Sequence, residues 1–246
     1  MSQVIQHTPR KILITGCASG IGLAQSKLFL ENGDQVYGVD KQTPQTHHEY
    51  PNFFFYQADL AGDLTALLAQ LPQIFDVICH TAGILDNYKP LLETSDDDFT
   101  QIWASNLSPV IKLTRHFLPH MIEQKSGIIV TMCSIASFVA GGGGAAYTTS
   151  KHALAGFTKQ LALDYARTGV QIFGIAPGAV QTGMTRQDFE TNNGKMADWV
   201  ASETPVGRWA QPSEVADLTA FLASGKASYM HGEIVKIDGG WTLKQL

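Results

Sequence analysis

The sequence has few cysteines, little charge and no long apolar run, and each scarcity argues against a class of protein. Its three cysteines, Cys17, Cys79 and Cys133, have no paired or CxxC spacing, so a disulfide framework or zinc knuckle is not expected. Charged residues make up 16% of the chain and the net charge is −5, which gives no basic surface for nucleic acid. No stretch approaches the roughly 18 apolar residues of a membrane span. Residues 1–10 lack the apolar centre of a signal peptide, so we expect a cytoplasmic protein without membrane or nucleic-acid partners.

Apolar segments of strand length alternate along the chain with segments of helical periodicity. Most strand segments are apolar or β-branched throughout, as in parallel sheets covered by helices on both faces. Strands are predicted at 11–15, 35–40, 53–57, 75–79, 127–133, 170–176 and 233–237, and helices at 21–30, 62–71, 96–123, 145–168 and 212–223. The pattern predicts an α/β fold: one domain, 1–246, with a doubly wound parallel sheet of about seven strands and helices on both faces.

Two groups of potential metal ligands are better explained without a metal. Ser95 followed by three aspartates is typical of a helix start, where the hydroxyl caps the helix and carboxylates meet its positive end. His116 and His120 share a helical face, but Pro119 lies between them and no third ligand is apparent. We predict no metal site.

A glycine-rich turn joins the first strand to the first helix at residues 15–22, Thr-Gly-Cys-Ala-Ser-Gly-Ile-Gly. Glycines allow a tight turn and close approach to a pyrophosphate, and the helix N-terminus supplies N–H groups. Asp40, at the end of the second strand, could accept hydrogen bonds from an adenosine ribose and would repel a 2′-phosphate. We therefore expect a dinucleotide site that prefers NAD(H) over NADP(H). The adjacent Lys41 would weaken this preference, and a simple turn role for Asp40 is the alternative. A methyltransferase would also use such a turn and acid.

Tyr147 and Lys151 are four residues apart at the start of a predicted helix, which places them on one face. A tyrosine can act as acid or base if a neighbouring ammonium draws its pKa towards neutrality. Tyr37 and Lys41 have the same spacing but lie in a strand, where four residues span about 13 Å. The helical pair is therefore the candidate catalytic pair.

Two further polar residues are candidates for the same site. Ser134 follows the fifth strand, and its hydroxyl could bond a substrate oxygen. Asn106 lies in the middle of a predicted helix, where asparagine is a mediocre helix former, and its amide could hold a water that links Lys151 to solvent. A turn role for Ser134 and a packing role for Asn106 are the alternatives.

These residues together resemble the short-chain dehydrogenase/reductase family over nearly the whole chain. The turn at 15–22 has its TGxxxGIG form, Asp59-Leu60 matches its adenine-pocket acid, and Asp238-Gly239-Gly240 resembles its C-terminal signature. The order Asn106, Ser134, Tyr147, Lys151 matches its catalytic tetrad. The resemblance implies a Rossmann-type sheet and a homo-oligomer, tetramer or dimer, formed through helices 96–123 and 145–168. It implies cofactor contacts from Gly16, Ser19, Gly20, Ile21, Gly22, Asp40, Asp59, Leu60, Ala82, Gly83, Tyr147, Lys151, Pro177, Gly178, Val180 and Thr182.

The chain departs from the family pattern at two positions. Many members have Asn-Asn-Ala-Gly where this chain has His80-Thr81-Ala82-Gly83, so the polar support behind the cofactor must differ. His80 is interpreted as structural rather than catalytic. Phe173 stands where many members place an asparagine, which affects strand packing rather than chemistry.

The resemblance implies hydride transfer between NAD(H) and a carbonyl or secondary alcohol, with Tyr147 as acid/base, Lys151 also anchoring the nicotinamide ribose, and Ser134 polarising the carbonyl. It is strongest to 3-oxoacyl-carrier-protein reductases, for which Lys125 and Arg167 are candidate docking cations, and to polyol or hydroxy-ketone dehydrogenases. A non-catalytic dinucleotide-binding redox sensor is a remote alternative, because such proteins tend to lose the tyrosine or lysine. We expect the substrate pocket near 138–144 and in a mobile loop at 184–204 that carries Met184, Met196 and Trp199.

Overall fold

A computed structural model of the protein describes residues 8–46 and 49–245 and contains a seven-stranded parallel sheet. The strand order is β3-β2-β1-β4-β5-β6-β7, and every neighbouring pair is parallel. The strands are β1 (Lys11–Thr15), β2 (Gln35–Asp40), β3 (Phe53–Gln57), β4 (Val77–His80), β5 (Gly127–Met132), β6 (Val170–Pro177) and β7 (Ile234–Ile237). The predicted doubly wound fold of about seven strands is confirmed.

The described part of the chain contains eight α-helices. They are α1 (Gly20–Glu31), α2 (Thr65–Gln70), α3 (Asp96–Asn106), α4 (Ser108–Gln124), α5 (Ala145–Tyr165), α6 (Arg186–Glu190), α7 (Lys195–Glu203) and α8 (Pro212–Leu222). No helix within residues 8–46 and 49–245 is long and apolar enough to cross a membrane.

The apolar core lies on both faces of the sheet because successive strand residues point to opposite sides. Leu13 and its neighbours on one face pack with Leu113 and Phe117 of α4. On the other face Ile14 belongs to a cluster with Phe29 of α1. Phe173, the departure in β6, is fully buried in this second cluster, so the aromatic ring is part of the core.

The predicted helix 96–123 is wrong in one respect, because the structure divides it at Leu107. This residue has φ −123° and ψ −51°, so α3 ends at Asn106 and α4 begins at Ser108. Pro109 near the start of α4 explains the break, since a proline ring cannot continue a preceding helix without a clash. Asn106 is thus the last residue of α3 rather than a mid-helix residue.

The expected excursion at 184–204 contains short helices, α6 and α7, joined by a 3₁₀ turn over Thr191–Gly194. Asn192, Asn193 and Gly194 all have positive φ angles, a left-handed conformation that asparagine and glycine tolerate best. The segment follows β6, whose carboxyl end opens onto the same edge of the sheet as the carboxyl ends of β1, β4 and β5. Strand order reverses between β1 and β4, and ligands of open α/β sheets bind at such a point.

Candidate active site

The glycine turn after β1 is packed so closely that its glycines cannot carry side chains. The N–H of Gly16 donates to the carbonyl of Val39 at 2.8 Å. Gly16 has φ +76°, and a Cβ there would lie 2.9 Å from Cα of Ala82. A Cβ on Gly22 would overlap the Gly16 carbonyl. The turn therefore presents bare backbone at the start of α1, as an approaching pyrophosphate requires.

Two carboxylates lie beyond this turn, at the carboxyl ends of β2 and β3. Asp40 accepts hydrogen bonds from the N–H groups of Ala18 and Gln42, both at 3.0 Å. The bond to Ala18 ties Asp40 to the glycine turn. Asp59 accepts from the N–H of Ala61 at 3.0 Å. Both line the cleft beside the buried Leu60, where the sequence predicted the adenosine half of a dinucleotide.

Thr81 and Ala82 are supported by a different set of polar groups from the family's usual asparagines. The hydroxyl of Thr15 accepts from both of their N–H groups, at 3.0 and 3.1 Å. The Thr81 hydroxyl donates to the Gln25 side chain at 2.6 Å, and Gln25 donates in turn to Thr219 at 2.8 Å. This series of hydrogen bonds crosses from the cleft through α1 to α8.

His80 is buried and lies behind the cleft. Its Nε2 is 3.0 Å from the Thr114 hydroxyl, whereas Nδ1 has no hydrogen-bond partner among the described residues. Burial lowers the pKa of His80 to about 3, so the ring is neutral. A neutral ring held in the core fits a structural role, with one of its two nitrogens bonded.

Tyr147 and Lys151 lie one turn apart at the start of α5, as the sequence predicted. Their side chains are 8% and 5% exposed and line the cleft. The Lys151 Nζ lies 5.6 Å from the centroid of the Tyr147 ring and donates to the carbonyl of Met132 at 2.7 Å. Tyr37, the other tyrosine of this spacing, stacks on Phe54 in the core, away from the cleft.

The two side chains have strongly shifted pKa values. Burial raises the pKa of Tyr147 to about 12, while hydrogen bonding to Ser134 acts in the opposite direction. Burial lowers the pKa of Lys151 to about 8. The expectation that Lys151 draws the pKa of Tyr147 towards neutrality is therefore not met by these side chains alone, because desolvation dominates. At neutral pH Tyr147 is a proton donor in a water-poor setting.

Ser134 and Asn106 lie on either side of this pair. Ser134 lines the cleft, and its hydroxyl accepts from the N–H of Ala136 at 3.1 Å. Asn106 is fully buried, and its Oδ1 accepts from the N–H of Ile84 at 2.8 Å while its Nδ2 donates to the Ile84 carbonyl at 3.0 Å. Both ends of the amide are thus engaged by the main chain of the loop after β4.

A single cleft of about 740 Å³ connects the glycine turn, the two carboxylates and Tyr147. Such a volume is usual for a cofactor site. The turn with its three glycines at one end and the buried tyrosine at the other fit a nicotinamide dinucleotide. Asn106 lies one layer behind the cleft. The predicted residues that line it are Gly16, Ser19, Gly20, Ile21, Gly22, Asp40, Asp59, Leu60, Ala82, Gly83, Ser134, Tyr147, Lys151, Pro177, Gly178, Val180 and Thr182.

The cleft continues past Tyr147 into a mostly apolar compartment. Met184, Met196 and Trp199 line it as expected. Of the predicted segment 138–144, Gly141 and Gly142 line the cleft, whereas residues 138–139 do not. Asp188 belongs to the predicted loop 184–204 but was not singled out within it. Four other lining residues were not predicted: Leu85, Tyr88, Trp209 and Trp241. Segments far apart in the chain supply them, and no short motif marks them.

The two candidate docking cations lie elsewhere. Lys125 lies two residues before β5 and Arg167 three residues before β6, so both are at the amino ends of these strands. Tyr147 lies at the carboxyl ends. The cations are therefore at the opposite edge of the sheet from the cleft of their own chain, and the expectation that they surround it is wrong.

Comparison with known proteins places the chain in a family. Residues 16–242 match a family model described as enoyl-(acyl carrier protein) reductase. The chain belongs to the short-chain dehydrogenase/reductase family and is an NAD(P)-dependent oxidoreductase that acts on CH–OH groups. It is 35% identical to 2-(R)-hydroxypropyl-CoM dehydrogenase of Xanthobacter autotrophicus, over 95% of this chain and 98% of the relative. It is 34% identical to 3beta-hydroxysteroid dehydrogenase 2 of Eggerthella lenta, over 96% and 98%.

Solved structures have the same fold. A 4-hydroxyisoleucine dehydrogenase complexed with NADH superposes with a TM-score of 0.87 at 30% identity, over 95% of this chain and 99% of that one. ElxO with NADP bound gives a TM-score of 0.87 at 26% identity, over 96% and 100%. The two proteins carry different dinucleotides, so the fold alone does not select between NAD and NADP.

Proposed function

We propose that this protein transfers a hydride reversibly between NAD(H) and a ketone or secondary alcohol, with Tyr147 as the acid/base. The observation that carries the proposal is the buried Tyr147–Lys151 pair, which faces the same cleft as the bare glycine turn. When bound, the nicotinamide supplies or accepts the hydride. The protein's own part is to hold the substrate oxygen and to move one proton to or from it.

The side chains around Tyr147 divide this work. In reduction the Tyr147 phenol gives its proton to the carbonyl oxygen as negative charge develops there. The Ser134 hydroxyl, which hydrogen-bonds Tyr147, is placed to hold the same oxygen. Lys151 stabilises the phenolate that remains and would contact the nicotinamide ribose. Asn106 acts by positioning the loop at Ile84, since both ends of its amide are engaged there.

The preference for NAD(H) rests on Asp40. Its carboxylate is fixed by two backbone N–H groups at the end of β2, beside the glycine turn. In that position it can accept hydrogen bonds from ribose hydroxyls, and its charge would repel a 2′-phosphate.

The substrate that best suits the cleft is neutral or cationic and largely apolar. Beyond Tyr147 the compartment is lined by Met184, Met196, Trp199 and Trp241. Five charged residues of the described chain line the whole cleft. Asp40, Lys41 and Asp59 follow β2 and β3 at the end proposed for adenosine, which leaves Lys151 and Asp188 for this compartment. Lys151 is already bonded to a main-chain carbonyl. With no other cation to receive a carboxylate or phosphate, this lining favours an apolar alcohol over an anionic hydroxy acid, a polyol or a carrier-bound thioester.

A tyrosine-to-phenylalanine pair tests the catalytic assignment. Tyr147→Phe should lower kcat about 10²–10⁴-fold, the usual contribution of a general acid, while the Kd for NADH stays within two-fold. Tyr37→Phe is the matched control, because it removes a hydroxyl from the other tyrosine of the same spacing, and its activity should be unchanged. Both variants are assayed by NADH turnover on a panel of ketones and secondary alcohols. Equal activity of Tyr147→Phe and wild type would remove the assignment.

Three ketones of one shape test the substrate class: 4-methylacetophenone, 4-acetylbenzoate and 4-acetylbenzylammonium. The neutral and ammonium compounds should exceed the carboxylate in kcat/KM by about ten-fold or more, since one uncompensated repulsion is worth about 1.4 kcal/mol. Asp188→Asn should reduce this difference. Asp198→Asn, an exposed carboxylate on α7 outside the cleft, is the control. A wild-type preference for the carboxylate would contradict the proposed class.

We further propose that the chain acts in the cytoplasm as a dimer or tetramer formed through the helices of 96–123 and 145–168, which are α3, α4 and α5. Residues 184–204 would move over the bound substrate. Three buried free cysteines suit a reducing compartment. Light scattering coupled to size-exclusion chromatography tests the assembly, and a monomer at micromolar concentration would contradict it. Protection of 184–204 from proteolysis by NADH and substrate tests the movement.

A further inference from the structure

Asp86, a residue not used in the proposed function, accepts two hydrogen bonds from the start of α5 and one from its own loop. It lies in the loop after β4 and is 6% exposed. Its Oδ2 accepts from the N–H of Tyr147 at 2.8 Å, and its Oδ1 accepts from the N–H groups of Gly144 at 2.8 Å and Tyr88 at 3.2 Å. A buried carboxylate is costly unless it is fully bonded, and here main-chain groups supply the bonds.

These contacts cap α5 from a distant segment. The residue before the helix is Gly144, which has no side chain to cap it. A Cβ there would lie 2.5 Å from the Lys89 carbonyl and 2.7 Å from Oδ2 of Asp86. Glycine therefore lets the Asp86 loop reach the helix, where a negative charge is favourable.

The loop that carries Asp86 is strained. Asn87 and Tyr88 both have positive φ angles, 54° and 57°, and such a conformation is uncommon for a tyrosine. Asp86 accepts a hydrogen bond from the N–H of Tyr88. Asn106 accepts one from the N–H of Ile84, which lies two residues before Asp86. A strained conformation persists only where its surroundings hold it, and these two side chains provide that support.

We propose that Asp86 is a positioning residue that fixes the Tyr147 phenol in the cleft by holding the first turn of α5. The proposal rests on the proposed role of Tyr147. The Asp86 carboxylate acts on Tyr147 in two ways: through the hydrogen bond to its N–H, which sets where the first turn of α5 begins, and through its charge.

The charge effect depends on everything that faces Tyr147. Burial raises the pKa of Tyr147 most, and Tyr88, Asp86 and Cys133 add to the rise. Hydrogen bonding to Ser134 lowers it, and the Lys151 ammonium lies over the ring. Among these groups Asp86 is the carboxylate, the side chain that is ordinarily negative at neutral pH. Removing its charge should therefore lower the pKa of Tyr147.

The test compares Asp86→Asn with Asp86→Glu. Asp86→Asn should reduce kcat about ten-fold or more, because a small displacement of a catalytic group is expensive, and leave the Kd for NADH within two-fold. In alcohol oxidation the rate rises with pH as Tyr147 loses its proton, so this rise should move to lower pH. Asp86→Glu keeps the charge and should lose kcat with little change in the pH profile.

Asp63→Asn is the matched control, since Asp63 accepts the N–H of Thr65 at the start of α2, outside the cleft. Its kcat and pH profile should be those of wild type. Wild-type kcat and pH profile in Asp86→Asn would overturn the proposal even if Tyr147→Phe is inactive, whereas activity in Tyr147→Phe would overturn the proposed function itself. If Asp86→Asn does not fold, the Glu variant decides: unchanged kcat would refute positioning.

Discussion

The hydrogen-bonded chain from Thr81 to α8 makes a prediction that can be worked out in energies. Thr81 donates to Gln25 at 2.6 Å, Gln25 donates to Thr219 at 2.8 Å, and Thr219 donates to the carbonyl of Val215 at 2.8 Å. Gln25 and Thr219 are fully buried. Thr81→Val keeps the shape of the side chain but removes the first donor, so the Gln25 oxygen loses this hydrogen bond inside the core.

A buried acceptor without its partner costs about 1–3 kcal/mol. For a protein of this size each kcal/mol shifts Tm by about 2–4 °C, so the variant should lose about 6 °C near the middle of the range. Thr81→Ser retains the hydroxyl and serves as the control, with a loss below about 1 kcal/mol. Urea unfolding and calorimetry give both quantities. The Kd for NADH should change little, because Thr15 still holds the main chain of residues 81 and 82.

A double-mutant cycle isolates the Thr81–Gln25 bond from other effects. Gln25→Met removes the acceptor with similar volume, and the double variant should be less destabilised than the sum of the two single variants. The expected coupling is about 1–2 kcal/mol. Equal stability of Thr81→Val and Thr81→Ser, or additive effects of the single variants, would refute the view that the Thr81–Gln25 hydrogen bond stabilises the fold.

Three further predictions concern the cofactor and the fold. Asp40→Ala should raise the kcat/KM ratio for NADPH over NADH about ten-fold or more, because the charge that repels a 2′-phosphate is gone; an unchanged ratio would remove Asp40 from cofactor selection. Arg10→Ala removes the guanidinium bonded to the fully buried Asp34 at 2.7 Å and should cost about 3–5 kcal/mol by urea unfolding, whereas a cost below about 1 kcal/mol would contradict this. Gly22→Ala would press a methyl group into the Gly16 carbonyl, so NADH binding measured by fluorescence should weaken at least ten-fold; wild-type affinity would contradict this packing.

Sequence patterns predicted the strands well because each is a short apolar run between polar turns. Gln35–Asp40 and Phe53–Gln57 have the predicted ends, and the fifth and sixth strands differ by one residue. The helix 96–123 was drawn as continuous because its periodicity persists across the break. What divides it is Pro109, whose effect on the preceding turn outweighs the apolar pattern.

The site was predictable where one motif holds the chemistry and not where distant segments meet. Tyr147 and Lys151 could be predicted from the sequence because a spacing of four residues places them on one face of a helix. Asp86 accepts a hydrogen bond from the N–H of Tyr147, 61 residues away in the sequence. Nearly every residue type has a backbone N–H, so no sequence pattern could predict this contact. The low exposure of Tyr147 could not be read from the sequence either. Its pKa was therefore expected to lie near neutrality, whereas burial raises it to about 12.

The loop after β4 is fixed by main-chain contacts, and this separates catalysis from substrate choice. Asn106 bonds the N–H and carbonyl of Ile84, and Asp86 bonds the N–H of Tyr147. Main-chain groups are common to all residue types, so the cleft-facing side chains of Leu85 and Tyr88 can differ between proteins without displacing the catalytic tyrosine. In this chain the position of Tyr147 therefore depends on the main chain of the loop and not on the side chains that the loop presents to the cleft.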